Sequence, residues 1–120
     1  ARRATVLPEW FAEGLNKARA EALAIQGLPA LMRGMGRSRE HVARSFRQHL
    51  GMTASDWVKR ERVRRARLLL TTTRLSVLEV ALDCGFESPS YFHKCFREET
   101  GTTPLRFRKE LSRIQVGGVS

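Results

Sequence analysis

Residues 38–53, SREHVARSFRQHLGMT, return fifty residues later as residues 88–103, SPSYFHKCFREETGTT, with no insertion or deletion. Ser38 pairs with Ser88, Val42 with Phe92, Phe46 with Phe96, Arg47 with Arg97, Gly51 with Gly101 and Thr53 with Thr103. Beyond the turn, Trp57 pairs with Phe107. A repeat whose apolar positions stay in register means one supersecondary unit built twice. On a helix starting after Ser38, positions 42, 45, 46 and 49 fall on one side, as do Phe92, Cys95 and Phe96 in the second copy. The opposite faces carry Glu40, Ala43, Arg44 and Arg47 in copy one, and Ser90, His93, Lys94 and Arg97 in copy two. Each outer face is short, polar and mostly basic.

The segments around the first copy supply the rest of a helix-turn-helix. Leu28 to about Met35 reads as a short helix with Pro29 tolerated in its first turn, followed by Gly36-Arg37 as the turn and Ser38 as an N-cap. Gly51 closes the second helix, and Thr53 can cap the next. The second copy repeats the pattern. Ser76 with Glu79 forms a capping-box signature for SVLEVALDC, Gly85-Phe86 makes the turn, Ser88 caps, and Gly101 ends the reader helix. Thr103-Pro104 then opens a last helix with a partial apolar stripe of Leu105, Phe107, Leu111 and Ile114.

Between the copies lies the longest helix, roughly Ala54 to Thr72. Trp57, Val58, Val63, Ala66, Leu69 and Leu70 form its buried stripe, and Lys59, Arg60, Arg64, Arg65 and Arg67 cover the remainder. That basic surface reads either as a solvated face or as a strip beside DNA. Thr71, Thr72 and Thr73 end the helix through local hydrogen bonding. Upstream, Phe11, Leu15, Ala18, Ala22 and Ile25 predict one amphipathic helix from Pro8 to Gly27, packed on the domain rather than on a membrane because its polar face is mixed. The organisation is therefore a tail at 1–7, a first lobe at 8–53, a linker helix at 54–73, a second lobe at 74–114 and a disordered tail at 115–120.

A net charge of +10 in 120 residues points to a polyanionic partner, nucleic acid or an anionic membrane surface. No apolar run is long enough to span a bilayer. The charge is unevenly placed: residues 33–74 hold twelve Lys or Arg against three acids, a balance of +9, while residues 75–120 hold six of each. Two cysteines, Cys84 and Cys95, are too few for a disulfide scaffold and read as buried thiols of a reducing compartment. His93 and Cys95, two apart on a helix, point different ways and make a poor metal pair; no nucleophile motif or zinc spacing stands out, so neither catalysis nor a cofactor is expected.

From Leu69 onward the chain reads LLTTTRLSVLEVALDCGFESPSYFHKCFREETGTTPLRFRK, and this closely resembles the DNA-binding domain of the AraC/XylS family of bacterial transcription regulators. The resemblance rests on Ala81, Gly85-Phe86, Ser88, Tyr91-Phe92, Phe96, Gly101, Pro104 and Arg108, and extends back through Arg62, Ala66 and Leu69-Leu70 to the first copy, covering about residues 17 to 113. It departs from the family at Leu31, where Ala is usual, and at Ala54, where Pro is frequent. Within the family, LPALMRGMGRSREHVARSFRQHLGMT has some likeness to regulators of chito-oligosaccharide and related sugar operons.

The resemblance implies an all-α domain of about seven helices, two helix-turn-helix subdomains joined by a long linker helix. It implies that both reader helices enter neighbouring major grooves on one side of a double-stranded DNA, with contacts about one helical turn, roughly 34 Å, apart. The base-reading positions would be Arg39, Glu40, Ala43 and Arg44 in the first reader, and Pro89, Ser90, His93 and Lys94 in the second. Arg39 and Arg44 suit guanine O6 and N7, Glu40 suits cytosine N4, and Ala43 a thymine methyl. Ser38, Arg47, Ser88 and Arg97 would contact phosphate. The expected setting is a monomeric fragment of a bacterial cytoplasmic regulator acting at the nucleoid. An upstream sensor and dimerisation domain would precede it, and RNA polymerase is a candidate partner. The competing expectation is a basic protein that packages DNA or binds RNA without regard to sequence.

Overall fold

The computed structural model describes residues 6–119, and side chains as far as residue 111. The elements are helical: α1 (Glu9–Ala20), α2 (Leu23–Gln26), α3 (Leu28–Met35), α4 (Arg39–Ser45) continued by a π-helical turn (Phe46–Leu50), α5 (Ala54–Thr72), α6 (Val77–Asp83), α7 (Pro89–Thr100) and α8 (Pro104–Val119). Among the described residues this is an all-α fold of eight helices and one π turn, with two helix-turn-helix subdomains connected by α5. The chain divides into two units, Ala1–Lys59 and Arg60–Ser120, and the division falls inside α5.

In the first unit, Phe11, Leu15 and Ala18 of α1 meet Leu31 and Met35 of α3, Val42 of α4, Phe46 of the π turn, and Trp57 and Val58 of α5 in one core. Phe46 sits at its centre, with the Phe11 ring edge-on at 5.1 Å and the Trp57 ring at 5.9 Å. Gly14 lets α1 and α3 approach closely: a Cβ there would collide with the Met35 sulfur. One expectation is corrected here. The single helix predicted from Pro8 to Gly27 is two helices, because Ala22 adopts a left-handed conformation with φ 53° between α1 and α2. The break rotates the register, so Leu23 and Ala24 are buried in place of Ala22 and Ile25. The apolar area removed by burying Leu23 offsets the steric cost of an Ala in that region, roughly 1–2 kcal/mol.

The second unit closes around Val63, Ala66 and Leu70 of α5, Val80 and Ala81 of α6, Cys84, Phe86, and Phe92, Cys95 and Phe96 of α7. The end of α5 is built as its three threonines suggest. Thr71 Oγ1 donates to Arg67 O, Thr72 Oγ1 to Leu68 O at 2.7 Å, and Thr73 Oγ1 to Leu69 O at 2.6 Å. Arg108 of α8 adds a donor at the same end, Nε to Leu70 O at 2.9 Å. The hydroxyls bond back onto i−4 carbonyls of the helix itself, the local bonding that bends or ends a helix, whereas the Arg108 guanidinium serves Leu70 O, one of the last carbonyls that a helix end leaves without an intrahelical partner.

The capping box of α6 is complete, with Glu79 N donating to Ser76 Oγ and Ser76 N to a Glu79 carboxylate oxygen. The bond from the Ser76 amide, and then that with its hydroxyl, hold the Glu79 carboxyl below the usual carboxylate range. Burial pushes the Cys84 thiol up to about 12, so it stays protonated and is a packing group. In α8, Leu105 is exposed rather than part of the apolar stripe, which Phe107 and Leu111 hold half-buried; the side chain of Ile114 lies outside the described residues. The same helix runs through Val119, where a tail is predicted from residue 115. The backbone hydrogen-bond ladder needs no particular side chain, and Gly117 and Gly118 each weaken it by only about 1 kcal/mol. Residues 1–5 and 120 lie outside the described residues.

Candidate nucleic-acid interface

Each reader helix is anchored at its start by the serine predicted to cap it. Ser38 Oγ accepts from His41 N at 3.1 Å, and Ser88 Oγ from Tyr91 N at 3.2 Å. Because a hydroxyl accepts and donates at once, each Oγ–H is still able to donate to a phosphate oxygen. Gly51 and Gly101, with φ 69° and 82°, end the two helices in the left-handed conformation expected of such caps. The buried sides are those the periodicity selects: Val42, Ser45 and Phe46 in one, Phe92, Cys95 and Phe96 in the other.

That anchoring leaves the opposite sides to solvent. In the first unit Arg39, Glu40, Arg44 and Arg47 are exposed along one face, with Ala43 half-buried between them. In the second, Pro89, Ser90, His93, Lys94 and Arg97 are exposed and line an open groove along α7 that also takes in Glu98. His93 is oriented within this groove: Nδ1 lies 2.9 Å from Pro89 O, and since a carbonyl only accepts, Nδ1 carries the hydrogen. In the neutral ring Nε2 is then an acceptor, the partner required by an exocyclic amine of adenine or cytosine.

The charges on α5 behave differently from those on the readers. Arg60 pairs with Glu99 at 3.3 Å, Arg64 with Glu61 at 3.1 Å, Arg65 with Asp83 at 3.0 Å, and Arg62 lies over the Phe86 ring at 5.6 Å. Among the described residues, Arg39, Arg44 and Arg47 have no such partner. Four arginines of α5 are therefore engaged within the protein, Arg67 excepted, whereas Arg39, Arg44 and Arg47 of the first reader remain open to an anion. Two features of the first reader have no signature in the periodicity. One is the π turn at Phe46–Leu50, absent from α7. The other is Arg37, in the turn before Ser38, whose guanidinium stacks 4.9 Å from the ring of Trp10, a residue 27 positions away in sequence. A long-range stacking contact leaves no local pattern to read.

An all-α protein with two capped reader helices, each presenting a polar outward face, is by class a double helix-turn-helix DNA-binding domain. A family model described as "Helix-turn-helix domain" matches residues 31–110. The HTH-type transcriptional regulator CdhR of Pseudomonas aeruginosa is 45% identical over 74 residues, 62% of this chain and 22% of that protein. The arabinose operon regulatory protein of Salmonella typhimurium is 40% identical over 63 residues, 52% of this chain and 22% of that protein. Among solved structures, the DNA-binding domain of AdpA in complex with a target DNA superposes with TM-score 0.73 at 35% identity, covering 83% of this chain and 90% of that one. An AraC-type regulator from Chromobacterium violaceum gives TM-score 0.76 at 30% identity, covering 85% and 91%.

The chain belongs to the AraC/XylS-type family of helix-turn-helix transcription regulators. It is a sequence-specific DNA-binding domain of a transcription regulator, and it binds double-stranded DNA. It spans about a fifth of the length of the curated relatives it matches. Among the described residues, no helix is long and apolar enough to cross a membrane, and no cluster of His, Cys, Asp or Glu could hold a metal ion.

Proposed function

We propose that the two outward faces read an asymmetric DNA site, each reader helix in a major groove. Arg39, Glu40, Ala43 and Arg44 would contact one block of bases, and Pro89, Ser90, His93 and Lys94 the other; Ser38, Arg47, Ser88 and Arg97 would hold phosphate. The observation that carries this reading is the contrast in arginine partners: Arg60, Arg62, Arg64 and Arg65 of α5 are engaged within the protein, Arg67 being the exception on that helix, whereas Arg39, Arg44 and Arg47 are exposed without an ion pair among the described residues. In this scheme residues 8–53 and 74–114 are the reading lobes and residues 54–73 their connector.

The relatives' names support control of a bacterial operon, and the arabinose operon regulator among them supports a sugar-utilisation operon. As the curated relatives are longer, a sensor and dimerisation domain would precede this segment in the whole protein. The isolated segment would be monomeric, act at the nucleoid in the cytoplasm, and contact RNA polymerase from its DNA site.

Binding to a selected duplex under excess random DNA tests the reading. Retention of the selected duplex at a large excess supports it. Equal displacement by random DNA would instead indicate a sequence-independent basic protein.

A further inference from the structure

We propose that Arg37, stacked on Trp10, is a pre-oriented phosphate clamp beside the first reader helix, and that Trp10 is its positioning residue. The inference rests on the reading that α4 enters a major groove. Arg37 immediately precedes Ser38, so its side chain leaves the backbone where the reader helix begins. The guanidinium lies 4.9 Å from the Trp10 ring centroid, and Nη1 donates to Gly36 O at 3.3 Å. The same indole has the His41 ring 4.9 Å away, centroid to centroid, and it packs half-buried against the first core. Trp10 is therefore a fixed shelf rather than a mobile surface ring.

Stacking engages the face of a guanidinium and leaves its edge. Of five N–H donors one is directed at Gly36 O, and the others remain for a planar, bidentate acceptor such as phosphate. Arg37 is exposed and has no acidic partner among the described residues. An arginine held in place loses less conformational freedom on binding than a free one. The second unit lacks the device, since the residue in register with Arg37 is Glu87, which would repel a phosphate. The clamp thus belongs to the first reader alone, within a stretch, residues 33–53, of five arginines against one acid.

The test is a salt titration of DNA affinity, from about 50 to 200 mM, on a selected duplex and on random DNA. It compares wild type, Arg37→Ala, Trp10→Leu and the double variant. Loss of one phosphate contact makes the slope of log Kobs against log salt shallower by about 0.9. Arg37→Ala should show that change on both DNAs. Trp10→Leu should weaken binding about two- to fivefold, the worth of an exposed cation–π contact, and should have no further effect once Arg37 is Ala. Arg37→Lys should keep the slope, and Trp10→Phe most of the affinity.

An unchanged slope in Arg37→Ala would overturn the clamp, as would a loss confined to one base position. Additive losses in the double variant would show that Trp10 acts only through the core. Because the slope is read on random DNA as well, failure of the clamp is distinguishable from failure of the two-reader reading, which would appear as absent site preference in the wild type.

Discussion

The two reader segments are the same length, begin at a capping serine and end at a left-handed glycine, yet they present different chemistry to solvent. The first offers Arg39, Glu40, Ala43 and Arg44 within a stretch, residues 33–53, of five arginines against one acid, ends in a π turn and has a stacked arginine at its start. The second offers Pro89, Ser90, His93 and Lys94 within a lobe of balanced charge and remains α-helical to its end. Inner positions and caps thus define the unit, while the outer face is free to vary without disturbing it.

The comparison breaks most visibly in the cores. Phe46 and Phe96 are fully buried equivalents, so Phe46→Ala and Phe96→Ala should each destabilise the unit that holds them by about 3–5 kcal/mol. Denaturant unfolding followed at probes in each unit checks this, and a cost below 1 kcal/mol at either site would show that its core is not as closely packed as the other. Next come the outer faces. Arg44→Ala should cost on the order of 1–3 kcal/mol in DNA affinity and relax preference at one base position, whereas Lys94→Ala should cost less. Titration of both variants against operator half-sites decides the order, and a larger loss for Lys94→Ala would reverse it.

The caps should respond alike. Gly51 and Gly101 have φ 69° and 82° with open space where a methyl would stand, so Ala at either should cost roughly 1–2 kcal/mol from backbone strain alone. Unequal melting shifts would mean that the two turns are not equivalent. The smallest effect is specific to the second lobe. Glu79 has its carboxyl lowered by the Ser76 amide, so the folded state holds its proton more weakly than the unfolded chain does. Its contribution is present above the ordinary value of 4.5 and is lost as pH falls below it toward the depressed folded value. Thermal melts should therefore show wild type losing its small advantage over Glu79→Gln as pH drops through that window, and a constant difference would contradict the capping-box origin.

Much of this was legible in the sequence because periodicity and caps are local. The repeat located both reader helices, Ser38, Ser76 and Ser88 marked helix starts that the hydrogen bonds match, and the stripe Trp57 to Leu70 predicted which side of α5 is buried. What escaped was set by tertiary contacts. Ala22 is a strong helix former, and only the packing of Leu23 and Ala24 against the core accounts for a break there. Ion pairs such as Arg65 with Asp83, and the stacking of Arg37 on Trp10, join residues too far apart for any window to link. Charge counting along the sequence could not say which arginines are engaged within the protein.

The most direct test of two unlike readers in one chain is selection of bound duplexes from a random DNA pool, followed by affinity for the selected duplex against random DNA at fixed salt. Two conserved blocks about one helical turn, roughly 34 Å, apart are the predicted result, with the block assigned to Arg44 lost or relaxed in Arg44→Ala. A single block, unchanged by Lys94→Ala or His93→Ala, would contradict the account by showing that the second lobe does not read sequence.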